Sequence, residues 1–346
     1  MELSARFRAF AAEAVRAPLY QCLAAEAADR PEVLSVLAHA PAQQQLPVLL
    51  FAAVHHLLLA GADTALAAHY PNLSVEPPAG DAATLFVRFV MDHHDELAAL
   101  VATRSTQTNE VGRCSQFLPA LGMVAAEVGA ISHVDIGTSA GLNLLLPQYR
   151  YEYQPGGVVG EESPVTLRCG TTGAVPVPAS MPKVARSIGL DRSPIDLSDP
   201  EEVRWLEACV WPDQADRFQR LVAALGIAAL HPPDVRAGDA VEAVADLVVE
   251  AAGHAHPVVT NSWVLNYLDH GARADYVEEM DRLGARLDLS WVIAEAPDQT
   301  PGLPVATTSP AESITVVSLV TWRSGRREVR RLATTHPHGY WLHWEA

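Results

Sequence analysis

The stretch His133-Val134-Asp135-Ile136-Gly137-Thr138-Ser139-Ala140-Gly141-Leu142-Asn143 decides how the chain is read. Ile131–Ile136 is a short, mostly apolar strand, and no strand pattern precedes it. Small residues, Gly137 to Gly141, follow at once. Such a turn lets the backbone approach a ligand, and the start of the next helix presents unpaired N–H groups. A brief helix, Leu142–Leu146, is then expected, limited by Pro147.

Upstream, residues 1–130 read as helices, at about 45–60, 83–102 and 115–128 among others, punctuated by Pro31, Pro41, Pro71 and Pro78. Downstream, Tyr149, Tyr151 and Tyr153 alternate with Arg150 and Glu152 as a strand or hairpin arm. Residues 148–184 are rich in Pro and Gly, carry one strand-like piece at Val165–Cys169, and read as an insertion. Strand and helix then alternate. Strands are expected at Arg186–Leu190 and about 228–236, 257–261 and 289–295. Helices are expected from Pro200 to about Cys209 and at about 213–226, 240–252 and 271–286. Ser313–Trp322 and Arg326–Ala333 form a closing hairpin across Arg323-Ser324-Gly325. The expected fold is α/β: a helical domain or lid over 1–130, then a Rossmann-like seven-stranded sheet over 131–346. That sheet consists of five βα units and an antiparallel hairpin.

The 346 residues carry 41 Asp+Glu against 24 Lys+Arg, a formal net charge of -17. Phosphate backbones and anionic membrane surfaces need clustered positive charge, so nucleic-acid and membrane partners are excluded and a small-molecule substrate is expected. The first residues lack the apolar run of about 7–15 positions that a signal peptide needs. Leu46 to Gly61 is too short to span a bilayer. Cys22, Cys114, Cys169 and Cys209 are scattered and read as reduced thiols of a cytoplasmic protein. The oligomeric state is left open.

The segment Asp135-Ile136-Gly137-Thr138-Ser139-Ala140-Gly141 is similar to the D-x-G-x-G-x-G loop of class I S-adenosylmethionine-dependent methyltransferases, with Ser139 at the middle Gly. It also contains a literal G-x-S-x-G, and resembles the nucleophile segment of hormone-sensitive-lipase-like esterases, in which Ser139 would attack an acyl group. Later residues favour the first resemblance. Asp191 ends the strand in Ser187–Pro194 and resembles the acidic residue that accepts both ribose hydroxyls. Gly238-Asp239 resembles the third motif, whose Asp contacts the adenine amine. Asn261 and Ser262 occupy the fourth-strand position, which faces the methyl group in that family. Glu152 is an alternative second-strand acid. The esterase reading lacks an upstream oxyanion segment. Its His336 and His338 follow the last strand and are expected at the opposite sheet edge.

A closer resemblance spans nearly the whole chain. Asn109-Glu110-Val111-Gly112-Arg113, the glycine loop, Trp205-Leu206, Val210–Gln214 and His338-Gly339-Tyr340-Trp341 look like a bacterial family catalogued as domain of unknown function twenty-three thirty-two. The resemblance implies a methyltransferase-like fold and no settled activity.

The expected chemistry is methyl transfer from S-adenosylmethionine to a small acceptor, with serine hydrolysis through Ser139 and non-catalytic binding as alternatives. Arg113 would pair with the cofactor carboxylate as a bidentate partner. Asp135, Gly137, Ser139, Gly141, Asp191, Asp239, Asn261 and Ser262 would line the cofactor site. His270, Tyr267 and Glu295 would serve the acceptor, one of them as base. The pairs His55/His56 and His93/His94 point to different helix faces, so no metal site is expected. His254-x-His256 reads as a solvated loop, and Trp205 and Trp211 as core aromatics of the helical layer.

Overall fold

The computed structural model describes residues 3–76, 78, 80–299 and 314–346. The chain forms two compact units, one of residues 1–108 with 195–222, the other of residues 109–194 with 223–346. The division therefore differs from the boundary expected near residue 130. Phe117, Leu118, Leu121 and Val124 of the helix Cys114–Val128 are buried, and that helix packs on the central strands, so it belongs with the sheet. Trp205, by contrast, is buried in the helical core and donates its indole N–H to Ser105 O at 2.9 Å.

The first unit contains α1 (Leu3–Glu13), α2 (Pro18–Ala27), α3 (Pro31–Leu37), α4 (Pro47–Leu59), α5 (Thr64–Ala67), α6 (Ala82–Asp92) and α7 (His94–Thr103). Proline opens α2, α3 and α4, where its missing N–H costs nothing. The helix α4 is buried almost all round, and Phe51 at its centre packs on Phe7, Tyr20 and Phe86 at ring distances of 4.6–5.9 Å. His55 is buried in this core as a neutral ring. Its Nδ1 donates to Ala208 O at 3.0 Å, Asn72 donates to Nε2, and burial pushes its pKa down to about 4. His56 faces Glu201 instead, so the pair diverges as expected.

The second unit begins with α8 (Cys114–Val128). Its strands are β1 (Ile131–Ile136), β2 (Arg150–Gln154), β3 (Gly157–Val159), β4 (Thr166–Thr172) and β5 (Val184–Asp191). The helix α9 (Pro200–Ala208) belongs to the first unit, and α10 (Ala215–Leu230) begins there. Then come β6 (Val235–Ala237), α11 (Ala240–Ala252), β7 (His256–Ser262), α12 (His270–Gly284), β8 (Leu289–Glu295), β9 (Thr315–Arg323), β10 (Arg326–Thr335) and β11 (Trp341–Trp344). Ser313 of the expected hairpin lies outside the described residues.

The sheet has eleven strands, ordered β3-β2-β4-β11-β10-β9-β8-β7-β1-β5-β6, where seven were expected. One parallel part is β6-β5-β1-β7-β8, and β2-β4-β11 is another. Val134, Ile136, Val259 and Ile293 pack on α11 and α12 in one apolar cluster. The stretch read as an insertion supplies β2, β3 and β4, which continue the sheet beyond β11. β2 and β4 show strand patterns locally, but the pairing of β4 with β11 joins segments too remote in sequence to leave one. The strand expected at 228–236 begins as helix, since α10 runs to Leu230, and only Val235–Ala237 pairs. A short apolar run does not separate helix from strand, and Pro232-Pro233 ends the helix late. No helix among the described residues is long and apolar enough to cross a membrane.

Candidate functional site

Within β6-β5-β1-β7-β8 the strand order runs from β1 to β5 and β6 on one side and to β7 and β8 on the other, and sheets of this kind bind ligands beyond the carboxyl ends of the strands at such a reversal. The glycine turn after β1 lies there. Gly137 (φ 71°) and Gly141 (φ 78°) take left-handed backbone, and so does Ser139 (φ 57°). A Cβ on Gly137 would lie 2.4 Å from Val264 Cγ2, and one on Gly141 2.4 Å from Val235 Cγ2. Only glycine fits both places. A 3-10 segment, Leu142–Gln148, follows the turn.

Asp191 ends β5 against this turn. Its Oδ2 accepts the Ser139 N–H at 2.7 Å and its Oδ1 accepts the Ser193 N–H at 2.9 Å. Asp239 caps α11 by accepting the Val241 N–H, and its second oxygen pairs with Arg192 at 2.5 Å. The Arg192 bond holds the Asp239 carboxyl below the usual carboxylate range.

Two carboxyls at the ends of β1 and β8, Asp135 and Glu295, are enclosed. Asp135 accepts the hydroxyls of Thr138 (2.7 Å) and Thr260 (2.6 Å). Thr260 thus spends its proton on Asp135, so His133 Nε2, 2.8 Å away, donates to Thr260. Burial pushes Asp135 up to about 6 against those two bonds, and pushes His133 down to about 4. Glu295, at the end of β8, accepts three N–H groups on Oε1: Asn261 Nδ2 (2.8 Å), Val264 N (2.8 Å) and Leu265 N (3.2 Å). Its Oε2 is buried with no hydrogen-bond partner among the described residues. Burial pushes this carboxyl up to about 7 despite those bonds. Asn261 Oδ1 accepts the Trp291 indole N–H, so both ends of its amide are tied within the sheet. The segment after β7 is strained at Trp263 (φ 57°), whose indole N–H donates to Thr315 at 2.8 Å.

Arg113 joins the strand ends to a distant loop. Its guanidinium donates to Ser262 O (3.2 Å) and Pro337 O (3.1 Å), and its charge favours ionised Asp135 and Glu295. Ser262 Oγ is buried with no hydrogen-bond partner among the described residues. Asn109 Oδ1 accepts the Leu142 N–H beside the glycine turn. Glu110 accepts the Gly112 N–H on Oε1, and its Oε2 lies 3.4 Å from His338 Nδ1. This corrects the expectation that His336 and His338 stand at the opposite edge. β9 is antiparallel to β8 and β10 is antiparallel to β9, so β10 runs in the direction of β8 and ends at the same edge.

The profile of a bacterial family described as "Uncharacterized protein conserved in bacteria" (DUF2332) matches residues 4–344. The chain belongs to this family. No curated protein and no solved structure matches it.

In this DUF2332 chain, the expected site residues fall into three groups. Asp135, Asn261, Ser262, Glu295 and Arg113 come together at the ends of β1, β7 and β8. Gly137, Ser139, Gly141, Asp191 and Asp239 lie along the turn and the tips of β5 and β6. Tyr267, 84 % exposed, and His270, exposed at the start of α12, stand apart from the enclosed carboxyls. His256 is a half-buried strand residue bonded to Ser290, not a solvated loop residue. Sequence reading missed Thr138, Thr260 and the Glu110–His338 pair. The direction of β10, counted strand by strand from β8, was the available signal for the last of these.

Proposed function

We propose that this edge binds S-adenosylmethionine on a methyltransferase-like, Rossmann-like sheet, and that the protein transfers a methyl group to a small-molecule acceptor. The observation that carries this reading is the bond from Ser139 N–H to Asp191. It joins the glycine turn to the acidic strand tip across 52 positions, the two pieces the resemblance implies for one cofactor. The strand order β6-β5-β1-β7-β8, reversing at β1, supports it as well.

The donor set fits such a ligand. Each Asp191 oxygen accepts one N–H and has a second lone pair, so the carboxylate suits two neighbouring ribose hydroxyls. Arg113 brings positive charge to the same edge while its Nε and Nη1 are bonded to Pro337 O and Ser262 O. The bound cofactor would supply an electrophilic methyl on its sulfonium. The chain supplies rigidity: Asp135 and Glu295 lock the ends of β1, β7 and β8 through five bonds to hydroxyl and N–H donors. Calorimetric titration with S-adenosylmethionine and its demethylated product tests the reading. Binding of either supports it; no heat from either at millimolar concentration sinks it.

A serine hydrolase is the second reading, favoured by the left-handed φ of Ser139 on a strand-to-turn junction and by histidines at the same edge. A fluorophosphonate probe would then label Ser139, and an unlabelled protein excludes it.

A further inference from the structure

Three tyrosines at the start of the stretch read as an insertion reach toward the glycine turn and α8. Tyr149, Tyr151 and Tyr153 alternate along extended backbone, so their rings leave it on one side, and all three are buried. Each hydroxyl donates to a backbone carbonyl: Tyr149 to Leu142 O at 2.7 Å, Tyr151 to Leu146 O at 2.9 Å and Tyr153 to Ser115 O at 2.9 Å. Burial pushes the Tyr149 phenol well above its ordinary range, so it keeps the proton it donates. The three bonds are alike in chemistry and enclosure and differ in where they end. Tyr153 holds α8, whereas Tyr149 holds the residue that follows Gly141.

Leu142 is pinned through both of its peptide groups. Its carbonyl accepts the Tyr149 hydroxyl, and its N–H donates to Asn109 Oδ1 at 3.1 Å. The glycine turn is therefore held at two places, with Ser139 N–H on Asp191 and Leu142 on Asn109 and Tyr149. Between them stands Gly141, whose left-handed backbone donates its N–H to Thr138 O at 2.9 Å. A 3-10 segment of seven residues follows in place of a regular helix, and 3-10 hydrogen bonds are poorer in geometry. The brace for the turn comes from outside it.

We propose that Tyr149 and Asn109 are positioning residues of this site: by fixing Leu142 they keep the glycine turn in its ligand-ready shape. The segment that opens β2, outside the β6-β5-β1-β7-β8 strands, thereby serves the site. A preformed turn spares the ligand the ordering of it, so a lost brace shows as lost affinity in a chain that stays folded. The bracing stands by itself; its effect on cofactor affinity rests on the methyl-transfer reading.

The test compares full-length variants that each lose one hydroxyl. Tyr149→Phe and Tyr153→Phe remove the same group from comparably enclosed rings, so a merely structural role predicts equal effects. Amide hydrogen exchange followed by mass spectrometry reads the turn. In Tyr149→Phe, exchange over residues 139–146 should quicken about fivefold, while Tyr153→Phe should leave it as in the wild type. Equal exchange in the two variants overturns the role of Tyr149. Asn109→Ala removes the other grip without touching β2 and should quicken the same residues. Exchange there at the wild-type rate overturns the role of Asn109, and this variant carries the test should Tyr149→Phe not fold. In calorimetry, Tyr149→Phe should weaken S-adenosylmethionine about fivefold and Tyr153→Phe should not. Equal affinities overturn the contribution to binding. A wild type that binds no S-adenosylmethionine would instead remove the methyl-transfer reading, and the exchange comparison would still decide whether the turn is braced.

Discussion

Val264 fills the space that a side chain on Gly137 would need: its Cγ2 lies 2.4 Å from the ideal Cβ position. The residue after the strained Trp263 thus closes over the glycine turn, and Glu295 holds it there through the Val264 N–H. Gly137→Ala meets both the collision and the left-handed φ, and should cost about 2–4 kcal/mol. Adding Val264→Ala should recover the steric part but not the backbone part. Urea unfolding of the two single variants and the double variant measures the coupling, and strict additivity would mean that Val264 does not close the turn.

Asp191 accepts two backbone N–H groups from loops on either side of it. Asp191→Ala leaves both without this acceptor and should cost about 1–3 kcal/mol. It should also weaken S-adenosylmethionine at least tenfold, because both acceptors for the ribose go with it. Calorimetry on the folded variant checks this, and unaltered affinity would remove Asp191 from the cofactor site.

Burial raises Glu295 to about 7, above an unfolded value of about 4.3. The folded chain therefore keeps a proton that the unfolded chain has already lost. The stability from this group is complete below about pH 4, declines as pH rises, and is gone above about 7. The full span is on the order of 3 kcal/mol. Glu295→Gln cannot titrate, so its deficit against wild type should shrink by about 1–3 kcal/mol between pH 5 and pH 8. Asp135, raised to about 6, has the same sign in both proteins and cancels in the comparison. A deficit independent of pH would mean that Glu295 is ionised throughout.

How much was legible in the sequence followed from how local each signal was. β8 (Leu289–Glu295) and α11 (Ala240–Ala252) carry complete patterns within themselves and match their expected bounds. Asp191 and Asp239 were legible because strand tips recur at expected places in an alternating chain. β11, by contrast, is four residues whose partners are β10 and β4, and no local pattern marks it. The Thr260–Asp135 bond spans 125 positions, and it depends on the pairing of β1 with β7, which no periodicity specifies. His338 was misplaced by one inverted strand direction, because the register of the hairpin was read without its orientation relative to β8.

Ser139 separates the two functional readings through its backbone as well as its hydroxyl. Its φ of 57° costs an L-residue roughly 1 kcal/mol, which glycine avoids. Ser139→Ala and Ser139→Gly both lose the hydroxyl, so their difference isolates the backbone. The Gly variant should be the more stable of the two by about 0.5–1 kcal/mol, after allowance for its freer unfolded chain. The N–H that bonds Asp191 is present in both, so each should bind S-adenosylmethionine within about twofold of wild type, about 0.4 kcal/mol. A hydrolase predicts otherwise: the wild type is labelled by fluorophosphonate and neither variant is. Cofactor binding retained in both variants, with an unlabelled wild type, would assign Ser139 to the shape of the turn; a labelled wild type would assign it to the chemistry.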